Sequence, residues 1–180
     1  MILLMIKCGK MINELKLNLA CGQTRIEGYF GIDIKPGDTV DAVMDLEQFP
    51  WNIESESAED IICSHYVEHT VDLIKFMEEV YRILKPGGKI KVIAPYYNNM
   101  RAWQDPTHKR AISEATFLYF NKGWRDTNKL DHYGIVSDFD FVYGYDIVNE
   151  WAMKNEESRN FAIKHYTNVI NDIHVTLTKR

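Results

Sequence analysis

The sequence predicts an α/β fold: a mostly parallel, doubly wound sheet of about seven strands, with an antiparallel last strand and a lid-like insertion after the fifth strand. Three observations carry that expectation. Short runs that are apolar, or that alternate apolar with polar, recur at residues 15–19, 29–34, 40–46, 59–64 and 89–94. Between the last two lies a stretch, 71–84, in which Leu73, Ile74, Met77, Val80, Tyr81 and Leu84 recur at helical spacing. The residues that end the strand-like runs are Ala20 to Gly22, Asp33, Asp45-Leu46, Ser64-His65 and Pro95-Tyr96, nearly all small, acidic or hydrogen-bonding. Ligands bind a parallel sheet beyond the carboxyl ends of its strands, where strand order reverses, so such residues point to function more than to packing.

Each element has a local reason. Leu15-Lys16-Leu17-Asn18-Leu19 alternates and then runs into a tight turn of small residues. About ten residues separate it from the second strand, at or below what a helical crossover needs, so a very short helix or a turn is expected there. The second strand stops at Lys35-Pro36-Gly37, and an acidic, turn-rich loop around Pro50 separates the third strand from the fourth. Thr70 is the expected N-cap of the helix, and Asp72 suits the positive end of its dipole. Its stop, Lys85-Pro86-Gly87-Gly88, places a cation on the last turn, a residue that cannot continue the helix and a turn-forming glycine pair. Residues 96–134 are polar, aromatic and weakly periodic, and read as a substrate-side insertion with a short helix at 113–120. A strand at 139–148, a helix over 156–170 with Phe161, Ala162, Tyr166, Val169 and Ile170 as its apolar stripe, and a strand at 173–178 complete the chain.

A chain of 180 residues has the size of one domain, 1–180, and buries roughly 70% of its unfolded surface. Residues 1–14 read as an N-terminal tail or edge strand, with Met1, Met5 or Met11 as the start; the apolar run to Ile6 is too short for a membrane span. A net charge of −5 gives no overall attraction to nucleic acid or anionic membranes, so the expected partner is a small molecule. Cys8, Cys21 and Cys63 form an odd, scattered set without a C-x-x-C pair, which fits reduced thiols in the cytoplasm.

Taken singly, Gly22 reads as a turn residue, and Asp33 and Asp45 read as strand-end caps. Together, a small-residue turn after strand one and acids at the ends of strands two and three can hold an amino-acid tail, a ribose diol and an adenine amine. Carboxylates accept vicinal hydroxyls bidentately, which is the reason for an acid at the second position.

Five segments in this order resemble the class I, Rossmann-like S-adenosylmethionine-dependent methyltransferases of the small type-11-like group. They are Asn18-Leu19-Ala20-Cys21-Gly22, Glu27 to Ile34, Asp45-Leu46, Cys63 to His69, and Leu84-Lys85-Pro86-Gly87-Gly88, collinear from Lys16 to about Pro95. The resemblance implies S-adenosyl-L-methionine as cofactor, with Ala20, Cys21 and Gly22 against its methionine part, Asp33 on the ribose and Asp45 with Leu46 at the adenine. Ser64, His65 and Tyr66 would face the sulfonium side. The sequence departs from the family pattern in carrying Asn18, counted among the cofactor residues, where an acid is usual, and Ala20 in place of the first glycine.

His65-Tyr66-Val67-Glu68-His69 also fits the H-x-x-E-H pattern of zinc peptidases, in which two histidines on one helix hold the metal. Its place at a strand end, just before the helix that Thr70 opens, instead reads Glu68 and His69 as braces of that helix, and no metal is expected. Methyl transfer is an in-line displacement in which alignment and exclusion of water do most of the work, helped by a base where the acceptor is a hydroxyl or amine. His65 and His108 are the candidate bases. Tyr96, Asp105 and His108, at the start and in the middle of the insertion, are the candidate acceptor-side residues; Tyr97, Trp103, Phe117, Tyr119 and Phe120 either anchor it or stack on the acceptor. The expected function is methyl transfer to a small-molecule acceptor. The alternatives are a non-catalytic S-adenosylmethionine-binding domain and the zinc peptidase, while the lack of G-x-G-x-x-G after the first strand argues against a nicotinamide enzyme.

Overall fold

The computed structural model describes residues 15–180. The expected tail or edge strand at 1–14 lies outside the described residues. At the centre is a seven-stranded sheet built from β1 (Leu15–Leu19), β2 (Phe30–Asp33), β3 (Ala42–Val43), β4 (Ala58–Ser64), β5 (Leu84–Pro95), β6 (Phe139–Ile147) and β7 (Ile170–Lys179). Their order is β3-β2-β1-β4-β5-β7-β6, so the direction of winding reverses between β1 and β4. The first five strands are parallel, and β7 runs antiparallel to both β5 and β6. This is the Rossmann-like sheet that the sequence predicts.

Register follows from burial. Leu17 stands opposite Phe30 and Ile61, and Leu19 opposite Ile32 and Cys63. Ile61 and Cys63 in turn face Ile90 and Val92, which meet Leu177 and Val175. These residues share one face and form the core, and a slip of one residue would turn every one of them outward. The helix α1 (Leu73–Ile83) contributes Phe76, Met77, Val80 and Ile83 to the same cluster. Each such side chain adds roughly 1.5–3 kcal/mol by its removal from water. On the opposite face stand Asn18, Ile62, Lys91, Thr176 and Val142; Lys89, Lys91 and Val142 are exposed, so no described helix covers that stretch.

Several elements differ from expectation, each for a local reason. A turn alone joins β1 to β2, because residues 20–29 leave no room for a helix. The third strand keeps only Ala42 and Val43 of the predicted 40–46, since the Asp41 carboxylate is taken up by the Gly31 N–H and Arg25. The N-cap of α1 is Asp72 and not Thr70: the Asp72 side chain accepts from the Lys75 N–H at 3.0 Å. Phe76 and Ile83 are buried where Ile74 is exposed, so the apolar stripe is rotated from the predicted one. The late helix, α6 (Glu156–His165), stops short of 170, because Ile170 pairs with Ile147 and opens β7.

The insertion at 96–134 carries the short helices α2 (Arg101–Gln104), α3 (Glu114–Leu118) and α4 (Lys122–Asn128) and one 3-10 turn; α5 (Asn149–Ala152) precedes α6 between β6 and β7. Ile112, Phe117 and Phe120 anchor the insertion in the core. Arg125, also buried, donates to the carbonyls of Tyr119 and Ser137. No helix among the described residues is long and apolar enough to cross a membrane.

Candidate active site at the switch point

The chain leaves β1 and β4, the two strands that flank the reversal, through residues in the left-handed region: Ala20 at φ 53° and His65 at φ 53°. Neither is glycine, and such a conformation costs of order 1–3 kcal/mol at a non-glycine position, a strain that concentrates at ligand sites. Gly22 (φ 52°) continues the first turn, with nothing within 4 Å of the position its Cβ would take. The backbone there is open to a ligand.

Three contacts hold this turn. The Asn18 amide, almost fully buried, donates to the Thr24 carbonyl at 3.0 Å. Asp33 Oδ2 accepts the Gly22 N–H at 2.8 Å, and its Oδ1 accepts the Lys35 N–H at 3.3 Å. The Thr39 hydroxyl donates to the Gly22 carbonyl. Cys21 is buried beneath the turn, and burial, with Asp33 near it, raises its thiol pKa. Gly31 has no alternative in this packing, since a Cβ would come within 2.2 Å of the Thr39 carbonyl oxygen.

At the end of β3 the Met44 N–H bonds the Asp33 carbonyl at 2.9 Å, which sets Asp45 just beyond Asp33. Asp45 accepts the Glu47 N–H at 3.0 Å, forming its own turn. Leu46 is placed differently from the acids: its side chain is buried in the core and its carbonyl accepts the Trp51 indole N–H at 3.2 Å.

On the other side of the reversal, a cavity of about 590 Å³ is lined by Ser64, His65, Ile93, Gly144, Tyr145, Asp146, Asp172 and His174. His65 lies 3.5 Å from Glu68 Oε1 through Nδ1 and 3.9 Å from Asp172 Oδ2 through Nε2. The Glu68 carboxylate raises the imidazole pKa against the opposing effect of burial, and Asp172 adds to the rise. Arg101 pairs with Asp172 at 3.0 Å.

The insertion is fastened over this end of the sheet. Arg110 donates to the carbonyls of Val67, Thr70 and Val71, and the Lys109 N–H to that of Glu68 at 2.7 Å. Tyr96 is buried, with its hydroxyl on Glu114 Oε2 at 3.1 Å and its ring against Tyr145. Tyr97 and Trp103 are exposed, with the Trp103 indole donating to the Tyr97 carbonyl. His108 and Asp105 do not line the cavity; His108 packs edge-on against His69, and Asp105 accepts from Thr107.

The structure thus brings Ala20, Cys21, Gly22 and Asp33 together, sets Asp45 beside them and places Ser64 and His65 across the switch point. Asp172, His174 and Arg101 escaped the sequence reading. An antiparallel β7 starts at the edge where β4 and β5 end, so the alternating Asp172 and His174 were the available signal. Glu68, expected as a brace of α1, makes no side-chain hydrogen bond to it, and both its carboxylate oxygens are buried without one.

Residues 17–92 match the family described as methyltransferase domain. No curated protein sequence matches the chain. Among solved structures, a SAM-dependent methyltransferase from Archaeoglobus fulgidus is similar at a TM-score of 0.63 and 17% identity, over 92% of this chain and 86% of that one. A SAM-dependent methyltransferase from Methanosarcina mazei is similar at 0.55 and 13%, over 93% and 92%. Phosphoethanolamine N-methyltransferase 2 of Haemonchus contortus, in complex with S-adenosyl-L-methionine, is similar at 0.50 and 14%, over 99% of this chain and 51% of that one. The sequence match over residues 17–92 is thus to a methyltransferase domain, and the chain has the Rossmann-like fold of the S-adenosylmethionine-dependent methyltransferases named above.

Proposed function

We propose that this single domain binds S-adenosyl-L-methionine at the carboxyl ends of β1 to β4 and transfers its methyl group to a small-molecule acceptor seated in the 590 Å³ cavity. The observation that carries this reading is the position of Ser64 and His65. They end β4, the strand that borders β1 at the reversal, and they line the cavity as well. Cofactor crevice and acceptor cavity therefore meet at one strand end.

The residues fit the cofactor. The open backbone at Gly22 admits the methionine part beside Ala20 and Cys21, with Asn18 holding the turn from below. Asp33 retains lone pairs for the ribose diol beyond the two backbone bonds it accepts. Asp45 is the acceptor for the adenine amine, with the Leu46 backbone beside it. When bound, the cofactor supplies a methyl group on an electrophilic sulfonium.

This chain's part is alignment, exclusion of water and removal of one proton. His65 faces the cavity with carboxylates behind it, so an imidazolium formed there is stabilised where it forms. Asp172, which lines the cavity beside His65, is itself held by Arg101. Tyr96 and the loop of Asp105 and His108 close the acceptor side as parts of the insertion, and His108, turned away from the cavity, leaves the proton to His65. The free, buried thiols of Cys21 and Cys63 agree with a cytoplasmic location. The test is a methyl-transfer assay by mass spectrometry over hydroxyl, amine and carboxylate acceptors. Turnover that the His65→Gln variant loses supports the reading. Cofactor binding without turnover on any acceptor favours a binding domain without catalysis.

A further inference from the structure

Proton removal by His65, with Glu68 behind it, gives no role to His69 and leaves both Glu68 oxygens without a hydrogen bond. Residues 65–70 form a turn and not a helix, so the helical histidine pair of a peptidase motif is not made. A different histidine arrives instead: His108, from the insertion, packs edge-on against His69 with ring centroids 4.6 Å apart. We propose that Glu68, His69 and His108 form a binding site for a divalent transition-metal ion of the zinc class, which ties the insertion to the turn after β4.

The donors are gathered already. One ligand atom from each of the three residues lies within 4.8 Å of the other two. Two donors at about 2.0–2.2 Å from one tetrahedral ion stand about 3.3–3.6 Å apart, so side-chain movements of about an ångström close the set.

Glu68 is the buried member of the three. Its side chain is 2% exposed, and neither carboxylate oxygen accepts a hydrogen bond. The nearest cation-forming group, His65 Nδ1, stands 3.5 Å away. A buried carboxylate left in that condition is costly, and a metal ion on its free oxygens removes the cost.

Hydrogen bonds fix the tautomer of both histidines. The Thr107 hydroxyl lies 2.7 Å from Asp105 Oδ1 and 2.9 Å from His69 Nδ1. A carboxylate only accepts, so the hydroxyl proton goes to Asp105 and the hydroxyl oxygen accepts from His69 Nδ1–H. His108 Nδ1 lies 2.9 Å from the Ala102 carbonyl, which also only accepts. Both rings therefore carry their proton on Nδ1 and present a bare Nε2. That is the arrangement by which outer hydrogen bonds fix metal-bound histidines. Two imidazoles and one carboxylate favour zinc, cobalt or nickel over calcium and magnesium, and they leave a fourth position open. Asp105 Oδ2, 4.0 Å from His108 Nε2, stands beside it.

The test is calorimetric titration of the chelator-treated full chain with Co²⁺ and with Zn²⁺, together with the visible spectrum of the cobalt form and melting temperature with and without metal. Expected are one equivalent bound, cobalt bands of nitrogen and oxygen ligation, and a higher melting temperature with metal. His108→Ala should weaken binding by more than about tenfold. Glu68→Gln, which keeps the side chain's size, should weaken it likewise should the first variant fold poorly, and His132→Ala should leave it unchanged. Absence of stoichiometric binding by the wild type, or wild-type affinity in both ligand variants, would overturn the proposal.

Discussion

Asp33 Oδ2 accepts the backbone N–H of Gly22 at 2.8 Å, so the acid that ends β2 is joined directly to the turn that ends β1. The bond organises the crevice before any ligand arrives. Removing the carboxylate leaves the Gly22 amide to solvent and loosens the turn. Asp33→Ala should therefore show faster amide hydrogen exchange at Gly22 in the ligand-free protein, with core amides such as that of Ile61 unchanged; equal exchange at Gly22 would show that the bond does not hold the turn.

Gly31 is a packing requirement. An added Cβ would stand 2.2 Å from the Thr39 carbonyl oxygen and 3.1 Å from Cys21 Sγ; Cys21 belongs to the turn after β1, and the Thr39 hydroxyl is bonded to that turn. Gly31→Ala should destabilise the protein by about 1–3 kcal/mol, the usual cost of overpacking, and should weaken cofactor binding with it. Urea denaturation and titration of the same variant check the two effects together.

In the proposed function His65 serves proton removal more than cofactor affinity. His65→Gln should lower kcat by roughly 10²–10⁴-fold with S-adenosylmethionine affinity within about threefold of wild type. A variant with intact kcat would remove His65 from the chemistry.

Asp41 links Arg25 to the Gly31 N–H, at 2.6 and 2.7 Å. Arg25 in first place, helped by the Gly31 amide and opposed by burial, holds its pKa below the ordinary value of 3.8. A carboxylate depressed in the folded state contributes stability above its unfolded pKa and loses it as pH falls through the folded value. Below pH 4 the wild type should therefore lose stability more steeply than Asp41→Asn. Parallel denaturation curves against pH would contradict this.

The sequence made the central strands legible because β1, β4 and β5 alternate or bury continuous apolar runs, and the small and acidic residues at the ends of β1, β2 and β3 gather at the switch point. It blurred the borders. Thr70 and Asp72 both suit an N-cap, and only packing chooses Asp72; Ile170 extends the apolar stripe of α6 on paper but pairs with Ile147 in the sheet. Half of the candidate site was hidden for a different reason. Asp172 and His174 join His65 at the cavity through the pairing of β7 with β5, and Glu68 and His69 meet His108 because Arg110 and Lys109 pin the insertion to the β4 turn. Neighbours set by tertiary contact leave no local spacing to read.

In the proposed function the crevice of Gly22 and Asp33 binds the cofactor. Calorimetric titration of wild type and Asp33→Ala with S-adenosyl-L-methionine tests it most directly. The expected result is one equivalent bound by the wild type, displaced by the demethylated product, with affinity at least about tenfold weaker in the variant, the loss of a charge-assisted bidentate contact. No binding by the wild type, or equal affinity in the two proteins, would contradict it.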